Sequence, residues 1–233
     1  MQVSDLHLRR VGAVHRRVAA RVNAHRPDLV VFTSDSVDRR DRLGELASLL
    51  ALFDARTPRY AILGNWEHWS GTDLGELADV YRRANGRLLV NESAVHEAGG
   101  RSLLLTGLDD LVGGRPDPRR AMARAPAAHA HLLLAHCPAH RDRLVDVATP
   151  LEPSPASLDA GRITLMLSGH THGGQVNVMG WTPVLPQGSG RYVRGWFREP
   201  GGVPLYVSRG IGTSVMPVRL GSPPEVAVFT MWV

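Results

Sequence analysis

The first ninety residues alternate continuous apolar runs with amphipathic stretches. Continuous apolar runs are typical of buried strands, and they stand at 28–33 and 59–63. Apolar residues at helical spacing predict three helices, over 11–26, about 43–54 and 73–84. The order strand, polar loop, helix is typical of an α/β fold, in which functional side chains collect where the strands end.

The pattern changes to short strands from about residue 87. The turn at Gly99-Gly100 predicts antiparallel pairing of the strands on either side of it. A short arginine-rich helix is expected to end near residue 125. Two further apolar runs predict buried strands, at 131–135 and 163–167.

The last third of the chain is rich in glycine and proline. Three prolines make residues 149–157 a predicted surface loop. After Gln175 short apolar runs alternate with turn residues, and they predict a second sheet that closes the fold. No internal repeat or linker interrupts the pattern, so we expect a single domain over residues 1–233.

The composition narrows the classes of partner. All 27 basic residues are arginine, the net charge is +5, and the arginines are scattered rather than aligned on one helix face. We therefore do not expect a nucleic-acid partner, whereas an anionic substrate or peripheral contact with a membrane surface is compatible with the charge. The single cysteine, Cys137, excludes an intramolecular disulfide.

The pattern contains no apolar span long enough for a bilayer and no signal peptide. Residues 1–4 form at most a short first strand. We expect a cytoplasmic protein as the sequence is written, and a membrane-associated or exported one if an upstream segment is missing.

The strongest chemical signal is the stretch 167–175, in which two histidines one residue apart follow an apolar run and are flanked by glycines. Glycine lets backbone approach a ligand closely, and imidazole binds transition metals. Loop histidines without a function are the alternative. Other strand ends carry similar ligands, and the candidate set is Asp5, His7, Asp35, Asn65, His136, His170 and His172.

Seven nitrogen and oxygen donors are too many for one tetrahedral ion, but they suit two ions that share a carboxylate. Two such ions, about 3.5–4 Å apart, can bridge a hydroxide and hold a phosphoryl group from both sides. Asp38 lies close to the set along the chain, but an aspartate in this position is expected to cap or buttress rather than to ligate.

The motifs that carry these residues follow one another in a characteristic order: Asp5-Leu6-His7, Ser34-Asp35-Ser36-Val37-Asp38, Gly64-Asn65-Trp66-Glu67, His136-Cys137-Pro138 and Gly169-His170-Thr171-His172. This order resembles the calcineurin-like metallophosphoesterase superfamily. The extension to Gln175 and the segment 206–229 resemble its bacterial branch, typified by YkuE and YaeI.

The resemblance implies a four-layer α-β-β-α sandwich, in which helices flank two mixed sheets. One metal would be held by Asp5, His7, Asp35 and His172, and the other by Asp35, Asn65, His136 and His170. It also implies hydrolysis of phosphomonoesters or phosphodiesters with two divalent metal ions (Mn, Fe, Zn, Ni or Mg), of which we favour Mn. A metal-bridging hydroxide would be the nucleophile.

Two positions depart from the family pattern. Ser34 stands in place of a glycine, and Trp66 stands in place of the histidine that contacts the phosphate and helps to protonate the leaving group. An indole has one N–H donor and cannot act as an acid near neutral pH. Loss of a general acid typically costs about two to four orders of magnitude in rate.

Three interpretations of Trp66 remain open. His68 could replace the missing acid, which makes Asn65 and His68 the catalytic candidates. Alternatively the leaving group needs no acid, as in a pyrophosphate or nucleotide. In the third interpretation Trp66 and Trp69 form an apolar lip that admits a lipid or nucleobase, although both tryptophans could simply pack the loop.

The leading hypothesis is a dinuclear metal-dependent phosphohydrolase of the phosphodiesterase or pyrophosphatase type. Its substrate would be a phosphorylated small molecule or a lipid-linked phosphate, and no obligate protein partner is implied. The competing hypothesis is a catalytically weakened fold that acts as a binding or scaffold module, which Trp66 favours. A nuclease has only the basic charge in its support.

Overall fold

The computed structural model describes residues 1–144, 163–200 and 202–231. The first half contains a small sheet and the helices beside it. In chain order its elements are β1 (Gln2–Val3), α1 (Ala13–His25), β2 (Val30–Phe32), a 3₁₀ turn (Arg40–Arg42), α2 (Leu43–Leu50), β3 (Arg59–Ala61), α3 (Asn65–Trp69), α4 (Leu74–Arg83) and β4 (Gly86–Leu88).

The second half builds a larger sheet. In chain order its elements are β5 (Glu92–Ala98), β6 (Arg101–Gly107), α5 (Pro118–Met122), β7 (Ala130–Leu134), α6 (His140–Arg143), β8 (Leu165–Ser168), a 3₁₀ turn (His172–Gly174), β9 (Gly195–Phe197) and β10 (Leu205–Val207). None of the helices in the described ranges combines the length and the apolar composition that a bilayer crossing requires.

The two sheets differ in their strand directions. The smaller sheet has the order β1-β2-β3-β4, and all of its strand pairs are parallel. A single antiparallel bridge between Gln2 and Ala227 extends its edge. The larger sheet has the order β5-β6-β7-β8-β10-β9 and is mixed, since β5 and β9 run antiparallel to their neighbours. The antiparallel pairing predicted around Gly99-Gly100 is that of β5 and β6.

Side chains alternate between the two faces of each sheet. In β2, Val31 packs against Leu132 and Leu167 of the larger sheet, whereas its neighbours Val30 and Phe32 pack against the helices. The helices α1, α2 and α4 therefore cover the outer face of the smaller sheet.

A thinner layer covers the outer face of the larger sheet, where Ala121 of α5 and Leu144, at the end of α6, pack against Leu133 and Met166. The four-layer α-β-β-α sandwich is confirmed. The smaller sheet is parallel in its named strands rather than mixed, because a helix connects each strand to the next and returns the chain in the same direction.

The predicted helices and strands of the first half all form, with ends displaced by a few residues. The tail differs more. Within the part of the tail that the structure describes, two of the apolar runs become strands, and these are β9 and β10 at the edge of the larger sheet. The runs at 176–180 and 225–231 make isolated bridges instead. The predicted loop at 149–157 lies outside the described residues.

Candidate metal centre

The ends of five strands carry the predicted ligands. Asp5 and His7 follow β1, Asp35 follows β2, and Asn65 opens α3 after β3. On the larger sheet His136 follows β7, and both His170 and His172 follow β8. All seven residues are buried, with at most 5% of their surface exposed.

The first cluster consists of Asp5, His7 and His172, whose ligand atoms lie within 4.8 Å of one another. Nε2 of His7 is 2.9 Å from Nε2 of His172, and the latter is 3.6 Å from Oδ1 of Asp5. When two imidazole nitrogens bind the same ion at about 2.0–2.1 Å, the nitrogens themselves lie about 3 Å apart. The spacing between His7 and His172 therefore suits a shared cation.

The second cluster consists of Asp35, His136 and His170, whose ligand atoms also lie within 4.8 Å of one another. Nε2 of His136 lies 3.2 Å from Oδ2 of Asp35 and 3.2 Å from Nδ1 of His170. Sequence positions more than 130 residues apart thus meet at one point between the two sheets.

Asp35 connects the two clusters. Its Oδ2 atom, 3.2 Å from His136, also lies 3.5 Å from Nε2 of His7 in the first cluster. Its Oδ1 atom accepts a hydrogen bond of 3.0 Å from the backbone N–H of Trp66. One carboxylate is therefore held between two sets of nitrogen ligands.

Two buried oxygen atoms at the centre have no hydrogen-bond partner among the described residues. These are Oδ2 of Asp5 and Oδ1 of Asn65. Buried polar atoms are nearly always hydrogen-bonded, and each exception calls for an explanation such as a bound ion. The residues present therefore fit a pair of cations.

Hydrogen bonds on the far side of three rings orient the ligand nitrogens. Nδ1 of His136 donates to the carbonyl of Thr33 at 2.8 Å, and Nε2 of His170 donates to the carbonyl of Gln187 at 2.7 Å. Nδ1 of His7 donates to Asp38, which is the buttressing role expected of that aspartate. The remaining nitrogen of each ring is unprotonated in the neutral form and faces the centre, as in known metal sites.

The fourth ring, His172, has a different partner. The guanidinium of Arg219 lies 3.1 Å from Nδ1 of His172 and donates to it, so the ring carries its proton on Nε2 and directs it at His7. A cation that binds at the first cluster must displace this proton. Burial lowers the pKa of His172 to about 4, with repulsion from His7 and Arg219 adding to the effect, which favours the neutral ring.

In the second cluster the carboxylate of Asp35 and the ring of His136 stabilise each other's charged form. Burial opposes ionisation of Asp35, but the rings of His136 and His7 outweigh it and hold the pKa of Asp35 well below its usual range. Burial also opposes a charge on His136, yet the adjacent Asp35 carboxylate raises the pKa of that ring. A divalent cation would take the place of this proton beside the carboxylate.

Five of the six residues in the two clusters have backbone φ angles in the left-handed region. The values are 51° for Asp5, 42° for His7, 49° for Asp35, 73° for His170 and 52° for His172. Such angles are uncommon for residues other than glycine, and they collect at functional sites. They turn each side chain out of the line of its strand and toward the centre.

Glu67 is a structural member of the site that the sequence interpretation missed. Its buried carboxylate accepts hydrogen bonds from the Ser34 hydroxyl at 2.9 Å and from the backbone N–H groups of Ser36 and Gly64 at 2.6 and 2.9 Å. It thereby joins the loop that bears Asp35 to the start of α3. Its place next to Trp66 in the Gly64-Asn65-Trp66-Glu67 motif was the available signal.

Arg219 was also missed. Besides His172, it hydrogen-bonds the backbone carbonyls of Arg209 and Gly212 at 2.8 and 2.7 Å. It belongs to the tail segment that supports the family resemblance, but nothing in its spacing connects it with a histidine 47 residues earlier.

The two tryptophans and His68 occupy different surroundings. Trp66 meets the His7 ring edge-on at 5.7 Å between centroids and contacts Trp69, which is exposed. His68 donates from Nε2 to Oδ1 of Asp109 at 2.7 Å. Within the described residues no hydrogen bond joins His68 to either cluster, so the role of His68 as an acid stays a prediction.

The fold and the paired ligand clusters define a metal-dependent hydrolase of phosphoester bonds. Residues 1–174 match the calcineurin-like phosphoesterase family, and the chain belongs to that family. Members of this family use divalent metals, in agreement with the two clusters.

Two bacterial relatives align with nearly the whole chain. The chain is 30% identical to the uncharacterized metallophosphoesterase YkuE of Bacillus subtilis, an alignment that covers 99% of this chain and 78% of the relative. It is 29% identical to the phosphodiesterase YaeI of Escherichia coli, with 98% and 80% covered. The resemblance to this bacterial branch is confirmed.

Two solved structures share the fold. The 5'-nucleotidase precursor of Thermus thermophilus aligns with 90% of this chain at a TM-score of 0.52 and 19% identity, and this chain spans about half (48%) of that protein. Phosphopantetheinyl hydrolase of Mycobacterium tuberculosis aligns with 88% of this chain and 86% of its own length, at a TM-score of 0.52 and 14% identity.

Proposed function

We propose that this chain is a dinuclear metal-dependent phosphohydrolase of the phosphodiesterase or pyrophosphatase type. The observation that carries the proposal is the position of Asp35, whose Oδ2 atom lies within 3.5 Å of ligand nitrogens from both clusters. The similarity of the chain to a relative named as a phosphodiesterase supports the same class of reaction.

Each cation would have four protein ligands. Asp5, His7, Asp35 and His172 would hold one, and Asp35, Asn65, His136 and His170 would hold the other. Two divalent cations held there would activate water as a nucleophile at neutral pH, and they would offset the charge that develops on the phosphoryl group.

The ligand set suits a borderline or hard metal. It contains imidazole nitrogens, carboxylates and the amide oxygen of Asn65, and it contains no thiolate. Mn accepts such a mixed nitrogen and oxygen set, so we favour Mn, with Fe, Zn, Ni and Mg as the other candidates. The rings held by Thr33, Gln187 and Asp38 keep their ligand nitrogens in place before a metal binds.

The surroundings of Trp66 bear on the substrate. Trp66 meets His7 edge-on and cannot donate a proton to a leaving group, and the nearby His68 is paired with Asp109. A phosphodiester or pyrophosphate whose leaving group is stable as an anion needs no such proton. Trp66 and the exposed Trp69 also offer an apolar lip beside the metals, which suits a lipid-linked phosphate or a nucleotide.

The test combines metal analysis with turnover. Protein loaded with Mn should bind two equivalents and hydrolyse bis-p-nitrophenyl phosphate. Asp35→Asn should bind fewer ions and lose about a hundredfold or more in rate, because it removes the shared anionic ligand. Asp79→Asn, which affects an exposed carboxylate paired with Arg82, is the matched control and should behave as the wild type.

A binding module is the second candidate, and the tryptophan next to the ligand His7 favours it. Protein that holds two metals but turns over no member of a panel of phosphomonoesters, diesters, nucleotide sugars and lipid pyrophosphates would support that alternative. Protein that binds no divalent ion would contradict both candidates.

A further inference from the structure

Two neighbouring loops beside the candidate metal centre project from the sandwich. They comprise residues 176–184 and 213–221, and we call them the paired loops. The backbone N–H of Asn177 donates to the carbonyl of Leu220 at 2.7 Å, and the N–H of Leu220 donates to the carbonyl of Gln175 at 2.9 Å. The loops therefore form one surface.

This surface is unusually apolar. Large side chains that are more than half exposed include Met179, Trp181, Val184, Val215, Met216 and Val218. Met179 is fully exposed, Val215 is 81% exposed and Trp181 is 68% exposed. Single exposed apolar residues are ordinary, but a contiguous group of this kind marks an interaction surface.

Part of the backbone at the first loop tip is already hydrogen-bonded. Val178 and Trp181 exchange two hydrogen bonds of 2.9 Å, and the N–H of Gly180 donates to the side chain of Asn177 at 3.0 Å. Met179 lies in the turn between them. These bonds leave fewer polar backbone groups to be desolvated when the tip enters an apolar environment.

The paired loops contain no acidic residue. Of the arginines nearby, Arg191 and Arg209 form ion pairs with glutamates, and Arg219 is bound by His172 and backbone carbonyls. Arg194 reaches the base of the loops, where it donates to the carbonyl of Gly221 at 3.2 Å. Arginines close to an apolar surface are attracted to anionic lipid headgroups.

The paired loops continue directly from the ligand loop. Gln175 stands three residues after His172, and its side-chain amide donates to the carbonyls of Ser214 and Met216 at 3.1 and 2.9 Å. Arg219, in the second loop, hydrogen-bonds the ring of His172. A surface that binds the paired loops therefore lies next to the metal centre.

We propose that the paired loops dock the protein on an anionic phospholipid bilayer. Met179, Trp181 and Val215 enter the interfacial region, where tryptophan is favoured, and Arg194 at the base of the loops contacts lipid phosphates. The exposed tryptophan and the lack of acidic side chains in the paired loops favour an anionic bilayer over a protein partner as the occupant. The proposal goes beyond phosphoester hydrolysis and does not depend on it.

The experiment is sedimentation with lipid vesicles. The probe is an equimolar mixture of phosphatidylglycerol and phosphatidylcholine, with phosphatidylcholine alone as the neutral comparison. The full chain should sediment with the anionic vesicles, and high salt should weaken binding. The affinity of the double variant Met179→Ser/Trp181→Ser for the anionic vesicles should be lower by about tenfold or more, because the variant removes the inserted apolar area.

Val228→Ser is the matched control, because Val228 is 52% exposed and lies outside the paired loops. It should bind vesicles as the wild type does. The proposal is overturned if the wild type stays in the supernatant with anionic vesicles, if it binds neutral vesicles equally, or if Val228→Ser weakens binding as much as the double variant.

Two parallel measurements separate this proposal from others. In the first, the oligomeric state of the wild type and of the double variant is measured. If the wild type self-associates but does not bind vesicles, and the double variant does not self-associate, docking on a bilayer is overturned and the loops are assigned to contacts between two copies. The double variant should retain two metals and its turnover of bis-p-nitrophenyl phosphate, since neither residue contacts the clusters. An inactive wild type that still binds vesicles would contradict only the proposed hydrolase.

Discussion

The hydroxyl of Ser34 donates a hydrogen bond of 2.9 Å to the carboxylate of Glu67. Ser34 has a φ of 83°, which favours glycine, and the related family pattern has glycine there. The serine thus adopts the backbone conformation of the glycine and adds a bond to the carboxylate that also accepts from Ser36 and Gly64. This explains how the loop that bears Asp35 tolerates the substitution.

Substitutions at Ser34 should separate the cost of its left-handed backbone from the contribution of its hydrogen bond to Glu67. Ser34→Ala keeps the backbone cost, loses the hydrogen bond and should lower the free energy of unfolding by about 1–2 kcal/mol. Ser34→Gly also loses the bond but relieves the backbone, so it should be the more stable of the two variants. Urea unfolding of both proteins checks the order, and an alanine variant as stable as the glycine variant would contradict it.

Gly210 should be essential for the position of Asp5. It has a φ of 66°, and a Cβ there would lie 2.6 Å from Cβ of Asp5. Gly210→Ala should therefore displace this ligand and weaken metal binding about tenfold or more. The affinity is measured by titration of metal-free protein with Mn.

Gly71→Ala provides the matched control for this prediction. Gly71 has a nearly identical φ of 64°, but a Cβ there meets nothing within 4 Å. Both variants should lose about 1 kcal/mol of stability from the backbone, and only Gly210→Ala should bind metal more weakly. Equal metal affinities in the two variants would show that Asp5 is not displaced.

His68 should affect only reactions that need a proton for the leaving group. If it is the acid, His68→Ala should slow hydrolysis of alkyl phosphoesters by about a hundredfold or more and of nitrophenyl esters little, since nitrophenolate leaves unprotonated. The hydrogen bond that His68 donates to Asp109 raises the pKa of His68, against the effect of burial. Asp109→Asn should therefore move the basic limb of the pH–rate profile to lower pH, and equal losses on both substrates would speak against the role.

His131 should make stability depend on pH. It is buried in β7, and burial lowers its pKa to about 4. An unfolded chain binds this proton near pH ~6.5, so the unfolded state is favoured as the pH falls from about 6.5 toward 4. His131→Gln keeps a hydrogen-bond partner for Thr106 but does not titrate. Between about pH 6.5 and 4.5, the free energy of unfolding of this variant should therefore fall by about 2 kcal/mol less than that of the wild type.

Urea unfolding in the presence of a chelator measures this effect without a contribution from bound metal. His129→Gln is the control, since His129 is an exposed histidine two residues earlier. It should leave the dependence on pH as in the wild type. The prediction is wrong if both variants change that dependence equally.

The candidate ligands could be located in the sequence because each one follows an apolar run. Parallel strands end at the same edge of a sheet, so residues such as Asp5, Asp35 and Asn65 must come close together once the strand order is set. The histidines after β7 and β8 obey the same rule in the other sheet. The pattern of apolar runs thus carries most of the information about the centre.

Other features depend on contacts that no local pattern encodes. The bond between Arg219 and His172 joins positions 47 residues apart, and it forms only because the tail folds back on the ligand loop. Glu67 was visible as a motif residue, but its three donors come from two separate loops. The tail was also harder to interpret, since an isolated bridge and a strand arise from similar short apolar runs.

The left-handed backbone at Asp5, His7, Asp35, His170 and His172 has a consequence for how the protein acquires its ions. Those torsions are unfavourable in a free peptide, and the packing of the two sheets imposes them during folding. An arriving cation therefore meets donors that are already aimed, and little of its binding energy is consumed by rearrangement. Loading should therefore leave the backbone almost unmoved.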